Sequence, residues 1–295
     1  MTRQLILCPL FTAILLTAGC SSHRSPRLQV LRLATTTSTR DSGLLGVLVP
    51  RFERQQQVRV DVIAVGTGAA LKLGEAGDVD VVFVHARQAE DAFMAAGHGI
   101  RREDVMYNTF EILGPSADPA GVRGLDPASA LQKIAAGGFV FVSRGDNSGT
   151  HKREHLLWKK GGGQPVWTDY VETGQGMGIT LTIADQMQAY VLTDRGTYLR
   201  FKNKIDLAPL VTNSPDLRNP YGIIVVNPAK HPAIRADLAN AFVDYVVSAD
   251  VQKRIQNYQV EGESLFHPLR LTGSKEAVSN QRSAVSQKDL PSAGH

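Results

Sequence analysis

The side chains with the clearest chemical use lie in three loops rich in hydroxyls and glycine. Residues 34–43 read Ala-Thr-Thr-Thr-Ser-Thr-Arg-Asp-Ser-Gly, residues 65–69 read Val-Gly-Thr-Gly-Ala, and residues 143–150 read Ser-Arg-Gly-Asp-Asn-Ser-Gly-Thr. Each loop follows an apolar run that has the pattern of a strand. A helix that starts after such a loop leaves its first N–H groups unpaired and carries partial positive charge there. Loops of this kind bind an oxyanion with little net charge.

The third loop also contains a formal positive charge, on Arg144. A guanidinium group presents N–H donors in a planar fork, which suits two oxygens of one anion. Asp146 is close enough in sequence to hold that guanidinium by a salt bridge. We therefore expect Arg144 to supply the countercharge of an anion site.

A purely structural role is the alternative for these loops. Ser, Thr and Asp residues before a helix are common N-caps, which stabilise the helix without any ligand. One such loop alone would favour that role. Three of them, all after predicted strands and one with Arg144, favour a binding site.

An enzyme is the alternative of another class. His151, Glu154 and His155 spell H-x-x-E-H, the order found in inverted zinc peptidases, and on a helix the two histidines share a face. Zinc needs a further protein ligand, and no obvious one follows in the sequence. The sequence therefore favours a binding protein with no catalytic residue, and a zinc-dependent hydrolase stays as the alternative.

Alternating strands and helices must position these loops. Strands are expected at residues 30–34, 58–65, 79–84, 110–113, 139–143, 190–193 and 223–226. Helices are expected at residues 44–56, 69–75, 128–136, 178–188, 232–248 and 251–258. Pro50 predicts a kink or a break in the first helix. This order predicts an α/β fold with mainly parallel sheets, in which ligands bind at the carboxyl ends of strands.

The N-terminus has the composition of an export signal. An apolar stretch from Leu5 to Leu16 is too short to span a membrane, and it ends in Thr-Ala-Gly-Cys at Cys20. Small residues before a cysteine are typical of a lipoprotein cleavage site. We expect residues 1–19 to be a lipoprotein signal peptide, Cys20 to carry the lipid anchor, and residues 20–28 to be a tether. The protein would be exported to the periplasm or cell surface and anchored to the membrane.

The chain as a whole has the composition of a soluble globular protein. With 295 residues it is long enough for two domains or one large one, and its hydrophobic content of 43 % and charged content of 20 % are ordinary. The net charge of +4 is spread along the chain and gives no indication of nucleic-acid binding. Residues 271–295, rich in Ser, Gln, Ala and Lys, predict a disordered tail.

Several strings in this sequence resemble a known family in the same order. They are Leu33–Thr39, Ala64–Leu71, Asp80–Ala86, Met106–Phe110, Phe141–His151, Thr193–Tyr198 and Asn219–Gly222. They resemble the tungstate-binding component of tungstate ABC importers, from about Leu31 to Phe266.

The resemblance implies the type II periplasmic-binding-protein fold, in which two α/β lobes are joined by two crossover strands and the ligand lies in the cleft. We expect the binding domain at residues 29–270, with one lobe at 29–112 plus 221–270 and the other at 113–220. Crossovers are expected near 110–114 and 220–225. The anion-facing positions of the family carry over to Thr36, Thr37, Ser38, Thr67, Gly68, Arg144, Ser148, Gly149 and Thr150. The contacts made within Thr35–Ser38 stay open.

The resemblance also implies the ligand and the partners. Tungstate and molybdate are fully deprotonated dianions near neutral pH, so a site made of donors suits them. Phosphate keeps a proton and is best held with an acceptor as well, which Asp146 could be if it were not engaged with Arg144. The Arg-x-Asp-x-Ser-Gly-Thr spacing of residues 144–150 also resembles phosphate-binding proteins of the same fold, so phosphate is the runner-up. We expect no cofactor and no metal, a monomer, and an ABC permease as the membrane partner. A sensory or adhesive lipoprotein with the same fold is a further alternative.

Overall fold

The structure, a computed structural model, describes residues 28–271. The predicted signal peptide, Cys20, all of the tether except Leu28, and the tail beyond residue 271 lie outside the described residues. Within the described part, no helix is long and apolar enough to cross a membrane.

The first lobe is built around a parallel arrangement of three strands. Its elements up to residue 95 are β1 (Gln29–Thr36), α1 (Thr37–Asp41), α2 (Leu44–Gln56), β2 (Val58–Val65), α3 (Thr67–Ala76), β3 (Val81–Val84) and α4 (Arg87–Ala95). Strand β1 lies between β2 and β3 and is parallel to both, so the starts of α1, α3 and α4 meet at one edge. Leu31 and Leu33 pack on the α2 side of this sheet, and Ala34 and Val82 pack on the α3 side.

The second lobe repeats this plan with its own core. Its elements are α5 (Pro127–Ala136), β5 (Phe141–Ser143), α6 (Gly149–Lys160), β6 (Tyr170–Glu172), α7 (Met177–Gln186), β7 (Tyr190–Asp194), α8 (Arg195–Phe201) and β8 (Ala208–Val211). Strand β5 is parallel to both β6 and β7. Phe141 packs with Trp158 on one face of this sheet, and Val142 packs with Leu181 on the other.

Two long strands connect the lobes. They are β4 (Gly99–Gly114) and β9 (Arg218–Val226), and a short 3₁₀ turn at Pro215–Leu217 precedes β9. Residues 99–109 of β4 pair with β9 in the first lobe, and residues 110–114 pair with β7 and β8 in the second. Strand β4 therefore runs directly from one core to the other. The lobe boundaries given above stay a prediction, and Leu199 of α8 is buried in the first lobe's core.

The C-terminal elements return to the first lobe. They are α9 (Ala236–Val247), α10 (Ala249–Gln256), β10 (Gln259–Val260), β11 (Glu263–Ser264) and β12 (His267–Pro268). Phe242 of α9 meets Phe52 of α2 edge to face, with ring centroids 4.9 Å apart. Burying one such ring contributes roughly 1.5–3 kcal/mol, which ties the end of the fold to its beginning.

Three expectations about the elements need correction. The sheets are mixed rather than mainly parallel, because β4 and β9 run antiparallel to their neighbours. The expected elements also lacked α1, α4, α6, α8, β6, β8, β10 to β12 and residues 99–109 of β4. Of the kink or break expected at Pro50, the break does not occur: α2 continues through that residue, and its apolar side chains are buried on both sides of it. Their burial, roughly 1.5–3 kcal/mol each, outweighs the proline penalty of about 3 kcal/mol.

Candidate functional site

A cavity of about 400 Å³ lies between the lobes, where the carboxyl ends of β1, β2, β3 and β5 face each other. The residues predicted for the anion site all line it, namely Thr36, Thr37, Ser38, Thr67, Gly68, Arg144, Ser148, Gly149 and Thr150. The three loops singled out in the sequence therefore meet at one place, as expected for the carboxyl ends of strands in α/β sheets.

The first loop presents hydroxyl groups that are held by one another. Thr36 ends β1 and caps α1, and its Oγ1 accepts a hydrogen bond from the backbone N–H of Thr39 at 3.1 Å. The same Oγ1 lies 3.0 Å from Ser38 Oγ. The hydroxyl of Thr35 donates to the Phe83 carbonyl oxygen at 2.7 Å, and Thr35 does not line the cavity. Within this loop, Thr36, Thr37 and Ser38 therefore reach the cavity, and Thr35 supports the strand.

The second loop contributes backbone donors. Helix α3 is preceded by Gly66 and has no side-chain cap. Its first helical hydrogen bond runs from the N–H of Ala70 to the carbonyl oxygen of Gly66, so the N–H groups at the helix start have no acceptor within the helix. Thr67 and Gly68 carry two of these donors at the cavity wall.

The third loop contributes the charge. Arg144 donates to Asp146 Oδ2 through Nη2, as predicted, and its Nε is buried without a hydrogen-bond partner in the described residues. Asp146 Oδ1 accepts from the backbone N–H of Ser148 at 3.1 Å. Burial opposes ionisation of Asp146, but hydrogen bonds from Ser148 and the charge of Arg144 outweigh it, so the pKa of Asp146 lies below its usual value. Each oxygen of the Asp146 carboxylate thus accepts a hydrogen bond, and the Nε–H of Arg144 is left without an acceptor in the described residues.

The floor of the cavity contains polar residues that the sequence analysis did not select. His85 follows β3, Asn108 lies on β4, and Asn219 lies on β9. Asn219 donates to Asn108 Oδ1 at 2.8 Å and presents its own Oδ1 to His85 Nδ1 at 3.2 Å. His85 Nε2 lies 3.1 Å from Thr36 Oγ1 and 3.2 Å from Ser38 Oγ. Since Nδ1 faces an acceptor, Nε2 of the neutral ring accepts from these hydroxyls.

Burial lowers the pKa of His85, although the hydrogen bond with Asn219 and the charge of Asp194 oppose the effect. The ring also packs against Tyr221, with centroids 4.7 Å apart. His85 is therefore neutral near pH 7 and adds no formal charge to the cavity. A polar residue directly after the apolar run Val81–Val84 was the signal that could have identified it.

Two charged residues complete the lining. Lys152 is exposed on the first turn of α6. Asp194 caps α8, and its two oxygens accept from the backbone N–H and the hydroxyl of Thr197 at 2.9 and 2.7 Å. Both carboxylates near the site, Asp146 and Asp194, are therefore occupied by internal donors.

The H-x-x-E-H sequence does not form a zinc site. Glu154 is 1 % exposed, and its carboxylate accepts from Ser143 and Tyr170 at 2.8 and 2.7 Å. Burial raises the pKa of Glu154, and its hydrogen bonds oppose this without cancelling it. His151 Nδ1 accepts from a backbone N–H and is not free to bind a metal. Among residues 28–271, no group of three or more His, Cys, Asp or Glu side chains is arranged to hold a metal ion.

Comparison with known proteins agrees with this geometry. A family model described as a PBP superfamily domain matches residues 22–250. The putative ABC transporter anion-binding protein of Haloferax volcanii is 47 % identical over 86 % of this chain and 76 % of its own length. The tungstate-binding protein TupA of Peptoclostridium acidaminophilum is 44 % identical over 89 % of this chain and 98 % of its own.

A solved structure agrees as well. The tungstate-binding protein TupA from Desulfovibrio alaskensis G20 is 47 % identical and superposes with a TM-score of 0.78, covering 82 % of this chain and all of that one. These relatives are binding proteins, which confirms the prediction of a binding protein over an enzyme, and their fold confirms the predicted type II periplasmic-binding-protein architecture. The chain belongs to the PBP superfamily and, within it, to the family of the tungstate-binding proteins TupA.

Proposed function

We propose that this protein is the solute-binding component of an ABC importer and captures tungstate in the cavity between its lobes. The observation that carries the proposal is a donor-lined cavity with an unsatisfied guanidinium. Hydroxyls, helix N-termini and Arg144 face the cavity, and Arg144 Nε–H is buried without a partner in the described residues. Arg144 is the one member of this set that carries a full positive charge.

The donor set fits an oxyanion that carries no proton. Tungstate accepts hydrogen bonds and donates none, so every group that touches it has to be a donor. Buried donors left unpaired by a wrong ligand are costly, which favours an anion whose oxygens match them all. The family relatives named for tungstate support this anion over molybdate, which has the same tetrahedral shape and charge.

Phosphate is the weaker candidate because of where the carboxylates point. A phosphate ion near neutral pH keeps a proton and is best held by at least one strong acceptor. Asp146 is engaged by Arg144 and Ser148, and Asp194 is engaged by Thr197. Asp146 does not line the cavity, and both oxygens of Asp194 already accept from Thr197, so the cavity offers phosphate no carboxylate oxygen that is without a hydrogen bond.

Capture requires loops from both lobes to close on one anion. We place the lobes at 29–112 plus 221–270 and at 113–220, with β4 and β9 as the connection about which they swing. Removing the anion from water strengthens each of its hydrogen bonds. The closed form then docks as a monomer on a membrane permease, and the exported chain is held at the membrane through lipidated Cys20.

The first test is isothermal titration of the chain from Ser21 onward with tungstate, molybdate, sulfate and phosphate. One-to-one binding of tungstate with no heat from phosphate is expected. Binding of phosphate alone would keep the site but change the importer to one for phosphate. No heat from any of the four anions would contradict the oxyanion site itself.

A further inference from the structure

We propose that His151 is a positioning residue that holds the anion-facing loop of the second lobe in its binding conformation without touching the anion. The inference rests on the proposed function, because it concerns the same cavity. Asn147, Ser148 and Gly149 line that cavity, whereas His151 does not. The H-x-x-E-H sequence, which the proposed function leaves without a role, acquires one in this way.

The loop that His151 supports has an unusual backbone. Between the end of β5 and the start of α6, Gly145 has a φ of 61° and Asn147 a φ of 57°. Residues with a side chain rarely adopt this left-handed conformation, although Asn does so more readily than most. A loop with such a residue needs a specific contact to stay in one conformation.

His151 supplies that contact. The backbone N–H of Asn147 donates to His151 Nδ1 at 3.0 Å. The N–H of His151 in turn donates to Ser148 Oγ at 3.3 Å, and the N–H of Ser148 donates to Asp146 Oδ1 at 3.1 Å. These three N–H groups are used inside the loop. The N–H groups of Gly149 and Thr150, the first two residues of α6, are left to face the cavity.

When the His151 ring accepts this hydrogen bond at Nδ1, its other nitrogen is left without a partner in the described residues. Because Nδ1 accepts, the proton of the neutral imidazole lies on Nε2. Nε2 is buried and has no hydrogen-bond partner in the part of the chain that the structure describes, and Glu172 Oε1 is 3.9 Å away. A buried N–H without an acceptor is unfavourable and calls for an explanation. The contact with Asn147 explains why a histidine is buried here.

Glu154 stabilises the other end of the same loop, at Ser143 and Gly145. Its Oε2 accepts from the hydroxyl of Ser143 at 2.8 Å, and the oxygen of that hydroxyl accepts from the N–H of Gly145 at 3.3 Å. Tyr170 donates to the remaining oxygen at 2.7 Å and fixes the carboxylate in place. His151 thus supplies the acceptor for the N–H of Asn147, and Glu154 fixes the Ser143 hydroxyl that is the acceptor for Gly145. The His155 ring packs against the His151 ring, with centroids 4.2 Å apart.

Two amide substitutions separate positioning from packing. In His151→Asn the side-chain oxygen can take the place of Nδ1, whereas in His151→Gln it lies further out, near the place of Nε2. Packing alone would favour the larger glutamine. Leu156→Gln is the control, because it introduces the same residue on the same helix at an exposed site that does not line the cavity.

The measurement is titration of tungstate into each variant of the chain from Ser21 onward, which contains every described residue. Loss of one hydrogen bond predicts that His151→Gln weakens affinity about tenfold, while His151→Asn stays within about threefold of the wild type and Leu156→Gln is unchanged. Deuterium uptake of a peptide spanning residues 144–150, measured without anion, should rise in His151→Gln and not in His151→Asn. This second readout also applies if His151→Gln is too unstable to titrate at high concentration.

The results that overturn the inference differ from those that overturn the proposed function. Equal affinity of His151→Gln and the wild type, or equal loss in His151→Asn and His151→Gln, contradicts the positioning role alone. Unchanged uptake at 144–150 in His151→Gln contradicts it as well. A wild type that binds none of the four anions contradicts the proposed function, and the inference falls with it.

Discussion

The two walls of the cavity use different chemistry for one task. The first lobe offers hydroxyls and backbone N–H groups from Thr36–Ser38 and Thr67–Gly68, and its histidine is kept neutral by burial. The second lobe carries both of the Lys and Arg side chains that line the cavity, Arg144 and Lys152. The first wall is therefore neutral, and the second is charged.

The walls also differ in how they are held. The hydroxyls of the first wall bond to one another and to His85, directly after a strand that is buried between two others. The second wall is a loop with left-handed residues, held by an ion pair and by His151. We infer that the first wall sets the shape that an anion has to fit. The second wall supplies most of the attraction and is the more sensitive to substitution.

Removing the Arg144 charge from the second wall should have the largest effect, although Lys152 keeps the other positive charge of that wall. Arg144→Ala is expected to weaken tungstate binding at least about tenfold, because hydrogen bonds from a charged donor contribute about 1.5–3 kcal/mol. The melting temperature without anion should change little, since this side chain lies at the cavity rather than in a core. Titration calorimetry measures the first quantity, and thermal unfolding measures the second.

The controls for Arg144 separate charge from geometry. Lys159→Ala removes one positive charge from the same lobe at an exposed position that does not line the cavity, and it should not change affinity. Arg144→Lys keeps the charge but loses the planar fork, so an intermediate affinity is expected. An unchanged dissociation constant in Arg144→Ala would remove this residue from the site and abolish the proposed contrast.

Removing one donor from the neutral wall should have a smaller effect. Ser38→Ala is expected to weaken tungstate binding about two- to tenfold, the range for a single neutral hydrogen bond. Ser129→Ala, at an exposed position on α5, is the matched control. If Ser38→Ala weakens tungstate binding as much as Arg144→Ala does, the two walls contribute equally to the affinity and the proposed contrast is wrong.

The charged wall was predictable from the sequence to a useful degree. Arg144 and Asp146 are two positions apart in the chain, and this spacing indicated the ion pair that the structure contains. Ser148 caps α6, as in the structural alternative considered for such loops, although a helix at 149–160 was not among the expected elements. The three loops could be located because each follows an apolar strand, and the resemblance to a family added the expected fold.

The floor of the site could not be predicted in the same way. His85, Asn108 and Asn219 come from three separate strands, and His85 and Asn219 are 134 positions apart. Their contact depends on β4 and β9 running antiparallel through the middle of the sheet, which a strand-helix alternation does not reveal. For the same reason, the contact between His85 and the hydroxyls of the neutral wall could not be predicted from the sequence.

The neutrality of the first wall can be tested through the pH dependence of stability, where the smallest effect is expected. Burial lowers the pKa of His85, so the folded protein holds this proton less tightly than the unfolded chain does. The unfolding free energy should therefore decrease as the pH falls below the ordinary imidazole value of about 6.5, and it should gain nothing from this group above that value. His85→Asn keeps a side-chain donor for Asn219 and removes the titration.

Urea unfolding at a series of pH values between about 5 and 8 should show a shallower loss of stability in His85→Asn than in the wild type. Some acid sensitivity will persist, because burial also lowers the pKa of His267. If His85→Asn instead has the wild-type slope, His85 is not held neutral by the fold. Both walls would then carry positive charge, and they would differ only in where that charge is placed.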